Sequence, residues 1–385
     1  MGKLGSSIRV LGNASIFVLI STAGFVPPWL FLNYPSELAQ SLGPTVARGV
    51  LYGGWFLLAA IAGRLALKFT KVTSIRQYCA LSAISLCLGA LFLFLLPNWI
   101  GLLLAAGITA SINGAIMFGP FLGAAIRTFP QSSSVAIAFA TVGQLTAATA
   151  SDQLMAAFSS IVSATHQQAV TLLFSALTVL LVSRLITPPI DLPSVSVERK
   201  SSWIISLAFA FAGFCVTFSG TIFIVNLPEL ARFFGNPGTV FAVFSICALV
   251  GRVAFAYVQD ISSLPMHVLT AIVLSLGLCI TTFFDYIEKP ILVMIAAAMF
   301  ALGYGGVTPT YLSKQSQFFS GLAGSKQSFR FFIFASTGIL LGCLVSAFLY
   351  SSAMLLVAFL FSLSNLVLIC WLSVKRPAVY GTHGI

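Results

Sequence analysis

The stretch AGRLALKFTKVTSIR, residues 62–76, places four positive charges between two long apolar runs. Arg64, Lys68, Lys71 and Arg76 stand out because only 7% of the 385 residues are charged, whereas a soluble protein carries about 25%. The runs on either side are continuous and rich in Leu, Ala and Phe. About 20 such residues cross the ~30 Å hydrocarbon core as a helix. A membrane barrel would instead alternate with a period of two. With 59% hydrophobic residues, the chain reads as a polytopic helical membrane protein without a sizeable soluble domain.

Outward from this stretch, twelve apolar segments read as helices. They are 9–33, 45–68, 76–96, 98–123, 132–157 and 166–187, then 203–226, 237–258, 265–284, 290–312, 328–349 and 352–374. Between the two sixes lies TPPIDLPSVSVERKSS, whose prolines break helices and whose charges are polar. The expected organisation is an N-terminal half 1–188, a linker 189–202 and a C-terminal half 203–385 with a short tail. The apolar segment 16–32 mimics a signal peptide, but NYPSELAQ follows it in place of a small-residue cleavage site. All seven cysteines fall inside apolar runs, at spacings that suit neither a metal nor a disulfide framework. Buried, inert thiols are expected, with no metal and no cofactor.

The topology sorts the cations. Lys3, Arg9, Arg64, Lys68, Lys71, Arg76, Arg127, Arg184, Arg199, Lys200, Arg252, Lys314, Lys326, Arg330, Lys375 and Arg376 fall on one side. Only Arg48, Arg232 and Lys289 fall on the other. By the positive-inside rule the basic side is cytoplasmic, with both termini there. The net charge of +11 is thereby assigned to topology and anionic lipid, not to nucleic acid.

Parts of the opening stretch recur. GRLA at Gly63 returns as GRVA at Gly251, 188 residues on. GAIMFGP, with Gly114 and Pro120, matches GYGGVTP, with Gly303 and Pro309, at an offset of 189. FATVGQL from Phe139 matches FASTGIL from Phe334 at 195, and NYPSELA from Asn33 matches NLPELA from Asn226 at 192 or 193. Four matches in the same order imply a duplicated six-helix unit with both copies in one orientation. Such parallel halves are a transporter design.

On these residues the chain resembles the major facilitator superfamily over essentially its whole length. The family's loop pattern between helices 2 and 3 is roughly Gly-x-Leu-Ala-Asp-basic-x-Gly-basic-basic. Gly63, Leu65, Ala66, Lys68 and Lys71 fit it, while Leu67 replaces the Asp and Thr70 the second Gly. The resemblance implies an all-α membrane fold of twelve transmembrane helices in two pseudo-symmetric six-helix bundles. It also implies a transporter working by alternating access. Helix 5 lacks the Pro of the drug-antiporter signature, and LGYGGVTPTY in helix 10 is weakly similar to monocarboxylate and oxalate/formate carriers. In the family the missing carboxylate latches the cytoplasmic gate. Asp260, five residues beyond Phe255 in the second copy, is expected to replace it in part by approaching helix 5, whose entry follows Arg127.

Helices 1, 4, 7 and 10 line the central cavity in this fold. Candidate substrate contacts are Asn113, Thr217, Ser219, Thr221, Tyr304, Thr308 and Tyr311 on these helices, with Gln144 of helix 5. Asn113 and Gln144 lead, since an amide in hydrocarbon needs a partner or a wet cavity. Helix–helix bonding is the competing role for each of them. None of the eight acids falls near the middle of a span, although intramembrane acids commonly mark proton relays. A central carboxylate is therefore not expected to drive transport. Peripheral coupling through Asp152 first and Glu229 second is the alternative to facilitated diffusion. Glu37 and Glu229 follow repeated Asn-x-Pro motifs and suit either a short helix start or an outer gate. Arg48 and Arg330 can attract an anion at the entrances, and Gly63, Arg64, Lys68, Arg127 and Asp260 belong to the gate region.

His166, His267 and His383 are expected in loops or the tail, and no catalytic constellation is legible. The expected function is secondary active or facilitative movement of a small organic or amphipathic solute, with or without a coupling proton or ion. Efflux of a drug or metabolite, for example siderophore-like, on the same fold is the alternative. A non-transporting receptor or scaffold ranks below both. A monomer in a bacterial cytoplasmic membrane is expected.

Overall fold

The structure is a computed structural model that describes residues 2–31, 43–66, 75–128, 132–160, 164–186, 202–230, 237–262, 264–283, 290–319, 321–348 and 351–375. Within them the chain makes twelve helical units and no strand. The first half comprises α1 (Gly2–Gly24, continued by Val26–Phe31), α2 (Pro44–Ala66), α3 (Ile75–Leu95), α4 (Trp99–Ile108 to Leu122–Thr128), α5 (Ser133–Thr141 and Gly143–Phe158) and α6 (Ala164–Ser183). The second comprises α7 (Trp203–Leu230), α8 (Pro237–Ile261), α9 (Met266–Phe283), α10 (Pro290–Phe318), α11 (Gly321–Phe348) and α12 (Ser351–Val374). Among the described residues, nine of these helices are individually long and apolar enough to cross a membrane. Leu103, Leu181, Ile246 and Leu360 lie more than half exposed on the outside of the bundle. Such side chains belong against lipid tails, so the molecule is an integral membrane protein. The linker expected at 189–202 lies outside the described residues except for Ser202.

Four helices depart notably from expectation. α7 continues through Pro228 to Leu230, so Glu229 sits in its last turn and not at the start of a short helix. α10 reaches Phe318 and α11 starts at Gly321, because the polar Lys314–Gln317 turn extends the helix past the apolar run without a breaker. α4 carries two π-helical segments, Thr109–Gly114 and Met117–Phe121, the second containing Pro120. A proline removes one ladder donor, and wider turns absorb the mismatch.

Small residues set the close approaches that hydrocarbon cannot enforce. Gly143, at the break in α5, lies so close to the Ser21 backbone that a Cβ there would collide with it, and its N–H donates to Ser21 Oγ at 2.9 Å. The α2–α4 and α8–α10 pairs both approach through small residues. Ala59 of α2 lies against Gly114 of α4, and Ala248 of α8 lies against Gly305 of α10. Within the halves, α3 packs on α6 and α1 on α5, while α7 packs on α11 and α12, and α9 on α10 and α12. Between the halves, α2 meets α11, and α5 meets α8 and α10.

Candidate functional site

At the basic end of the bundle the two halves interlock. The Asp260 carboxylate, at the end of α8, accepts from the backbone N–H groups of Ser134 (3.1 Å) and Val135 (2.9 Å). It thus caps the first turn of α5, where a negative charge meets the positive end of the helix dipole. Ser134 Oγ also donates to Ser313 Oγ of α10 at 2.8 Å. On the other seam, the buried ring of Phe329 in α11 fills a notch between Gly63 of α2 and Gly119 of α4, where a Cβ on either glycine would strike it. Arg330, next to it, donates to Ser206 Oγ of α7, within its own half. Arg64 is exposed in the last turn of α2.

Above this closure lies a cavity of about 90 Å³ that both halves share. Tyr52 and Phe56 (α2) and Gln144 (α5) come from the first half; Thr217 (α7), Arg252 (α8), Tyr304 and Thr308 (α10) and Phe331 and Ser336 (α11) come from the second. Of the eight residues expected to contact substrate, Gln144, Thr217, Tyr304 and Thr308 are thus brought together. The Thr217 hydroxyl is engaged with backbone carbonyls, including Ala335 O at 2.6 Å.

Of the other four, three bond to a neighbouring helix and Thr221 bonds within its own. Asn113 is fully buried, donates to Gly24 O of α1 and accepts from Ser82 Oγ of α3. Ser219 Oγ donates to Ala358 O of α12 at 2.8 Å. Thr221 Oγ1 donates to Thr217 O one turn back at 2.8 Å. Tyr311 OH donates to Asn365 Oδ1 of α12 at 3.0 Å. Asp152, Arg48, Arg127 and Glu229 are placed on α5, α2, α4 and α7. Glu37 and Lys68 lie outside the described residues.

The residue that sequence reasoning misplaced is Arg252. The charge count places it with the cations of the basic side, but within the expected helix 237–258 it lies about two turns from the end of α8 and is only 3% exposed. Nη1 donates to Thr141 O and to Gln144 Oε1 (3.1 Å), both on α5, and Nε donates to Gly305 O of α10 at 3.3 Å. The signal was available, since the apolar run around it, 237–258, continues for six residues beyond it. Two histidines are also corrected. His166 lies in α6, its ring 5.5 Å from that of Phe94, and His267 is buried in the first turn of α9 with no hydrogen-bond partner at either nitrogen among the described residues.

The arrangement of twelve helices is that of the major facilitator fold. The fucose:proton symporter FucP of E. coli superposes with a TM-score of 0.66 at 17% identity, over 96% of this chain and 99% of that one. A bacterial homologue of the iron transporter ferroportin, in an outward-facing state with soaked iron, gives 0.67 at 14% identity, over 95% and 98%. The human organic anion transporter MFSD10 gives 0.62 at 14%, over 94% and 98%. No protein-family model and no curated protein matches the sequence. At these identities the likeness establishes the fold, and the chemistry has to come from the cavity.

Proposed function

We propose that this protein is a solute transporter working by alternating access, with the cavity at Gln144, Thr217, Arg252, Tyr304 and Thr308 as its central site. One observation carries the reading: a cavity bounded by both halves, with polar side chains from each, lies above a seam that is held by reversible contacts. The Asp260 cap and the Ser134–Ser313 bond are polar and few, and Phe329 leaves its glycine notch without breaking a covalent or charged link. Rocking of the halves about the cavity would open this end and close the other. The structure then represents the state closed at the basic end, which by its charge is the cytoplasmic one.

The cavity volume favours a small solute over a drug. Sites for drug-sized ligands measure about 300–1,000 Å³, several times the 90 Å³ found here. Transport is preferred over catalysis and over a scaffold role for the same reason: the polar groups converge on a space that two moving halves share. The proposed setting is a bacterial cytoplasmic membrane with both termini inside, and the proposed working unit is a monomer. Asn113, Ser219 and Tyr311 serve as struts behind the site. Coupling, where it exists, runs through peripheral Asp152 or Glu229, with Glu37 and Arg48 near the outer entrance.

The test is accumulation in proteoliposomes across a panel of small metabolites, with and without a pH gradient. Saturable uptake of at least one solute is expected, and Asp152→Asn should abolish gradient-driven accumulation while sparing downhill exchange. A folded, reconstituted protein that moves nothing in such a panel, yet binds a partner protein, would favour the scaffold role.

A further inference from the structure

We propose that the cavity recognises a monoanionic organic solute, a carboxylate on a compact apolar body, through the guanidinium of Arg252. This names the substrate class of the transport site above and rests on that reading.

The charge balance comes first. Arginine stays protonated in proteins, and a buried charge is costly unless it is paired. Arg252 is 97% removed from solvent within the bundle. Its protein partners are two backbone carbonyls and one neutral amide. The ionisable groups that act on it are the hydroxyls of Tyr52 and Tyr304. Among the described residues no carboxylate reaches it. A structural tie between helices needs no permanent charge; a glutamine or a serine would serve. A cation kept here without a counter-ion is matched to a counter-ion that arrives and leaves.

The donor geometry agrees. Of the five N–H groups of a guanidinium, Nε–H and the two on Nη1 are taken by Gly305, Thr141 and Gln144. The two on Nη2 have no protein acceptor among the described residues, and Arg252 lines the cavity. Gln144 accepts from Nη1 with its oxygen and thereby acts as a positioning residue that fixes the plane of the guanidinium. A carboxylate can take one Nη2–H and a second donor from the cavity rim, where charge-assisted bonds are the strong ones.

Size and charge narrow the class. One cation is neutralised by one negative charge, whereas a dianion would leave a buried surplus. Beside the hydroxyl-bearing side chains, the wall includes the apolar Phe56, Val216, Val307 and Phe331, which suit a short aliphatic or aromatic body. Because Arg252 also ties α5 to α8 and α10, an anion that draws on the guanidinium competes with a contact between the halves. Binding is thereby connected to gating.

The experiment measures thermal stabilisation of the purified full-length protein by lactate, benzoate and phenylacetate, each against its neutral amide, with succinate and inorganic phosphate alongside. A ligand that binds only the native state raises the unfolding temperature. At least one monocarboxylate should stabilise where its amide does not. Arg252→Lys should weaken that ligand about tenfold by losing the planar fork, and Arg252→Gln should abolish the response. Equal stabilisation by acid and amide, a response to succinate or phosphate alone, or no response to any of the three acids would overturn the proposal. The acid–amide comparison needs only the wild type, so it stands if Arg252→Gln does not fold. Proteoliposome uptake separates the two readings. An acid that binds but never crosses leaves the anion site and removes transport. An amide that crosses as well as its acid leaves transport and removes the anion site.

Discussion

Arg64 and Arg252 hold matching places in the two copies of Gly-Arg-apolar-Ala, yet one is exposed at a helix end and the other is buried between the halves. A shift of one residue accounts for this. In the first copy Arg64 follows the packing alanine, Ala59, by five residues. In the second, Arg252 follows Ala248 by four. At about 100° per residue, Arg252 returns to within roughly 40° of the face of α8 that packs on α10, whereas Arg64 is carried roughly 140° from the face of α2 that packs on α4. α8 also continues nine residues past its arginine, to Ile261, about 14 Å of further helix. The same Gly-Arg-apolar-Ala pattern occurs twice, and a one-residue difference in register leaves one cation exposed at a helix end and the other buried between the halves.

The sharpest way to break this comparison is to truncate both arginines. Arg252→Ala leaves the Thr141 and Gly305 carbonyls and the Gln144 amide without their donor and removes the only charge in the described cavity. Losing one partner of a buried charged contact costs about 2–5 kcal/mol. Uptake of the identified substrate should therefore fall by roughly a hundredfold or more, measured as initial rate in proteoliposomes at matched protein density. Retention of more than about a tenth of the wild-type rate would return Arg252 to a minor role.

The preceding glycines give the next largest contrast. A Cβ on Gly251 would run into the backbone carbonyl of Leu302, which cannot step aside, whereas a Cβ on Gly63 meets the edge of the Phe329 ring. Overpacking costs about 1–3 kcal/mol. Gly251→Ala should fall at the upper end, and Gly63→Ala lower, because a ring can tilt. Thermal unfolding in detergent ranks the two, and the reverse order would mean that the α8–α10 contact is softer than its carbonyl approach implies.

These contrasts also show which features the sequence made legible. Twelve spans, two halves and the basic end follow from apolar runs, the mid-chain prolines and the charge asymmetry, and these are large summed signals. Gln144 and Tyr304 were legible because a polar side chain in an apolar run needs a wet or paired environment. Asn113 carried the same signal and found paired surroundings, since Gly24 O and Ser82 Oγ lie across the helices from it. Composition cannot tell those two outcomes apart. Arg252 was lost to a count that pooled cations by segment end, where a six-residue difference in depth disappears. The end of α7 is not legible because the Asn-x-Pro motif suits a break, although α7 continues through Pro228.

Asp260 sharpens the comparison at the seam. The first copy has Leu67 where the major facilitator loop pattern has an Asp, while the second supplies Asp260 to cap α5. Closure at the basic end is therefore asymmetric: one seam is held by a charge on a helix end, the other by Phe329 in its notch. Asp260→Asn keeps the shape and weakens the cap, worth about 1 kcal/mol. That shifts the gate roughly fivefold toward opening at this end. Cysteine labelling at Ser313→Cys from the basic side, in an otherwise cysteine-free protein, should rise by that factor. Unchanged labelling would mean that Phe329 alone holds the gate.

The smallest effect belongs to Arg64. Its charge lies in the last turn of α2, where a cation meets the negative end of the helix dipole, an interaction worth about 0.3–1 kcal/mol when exposed and screened by salt. The side chain is exposed and the neighbouring gate contact belongs to Gly63, not to the guanidinium. Topology is over-determined by the remaining basic residues of the same side, so one neutralised charge does not invert the chain. Arg64→Ala should therefore keep the uptake rate within about twofold of wild type and lower stability by no more than about 1 kcal/mol, with the difference shrinking at high salt. Arg64→Lys should be indistinguishable from wild type, in contrast to Arg252→Lys, whose lost fork is felt at the ligand. A loss of uptake in Arg64→Ala as deep as that in Arg252→Ala would show that the two copies still act as equivalents, and the one-residue register shift would no longer explain where the site lies.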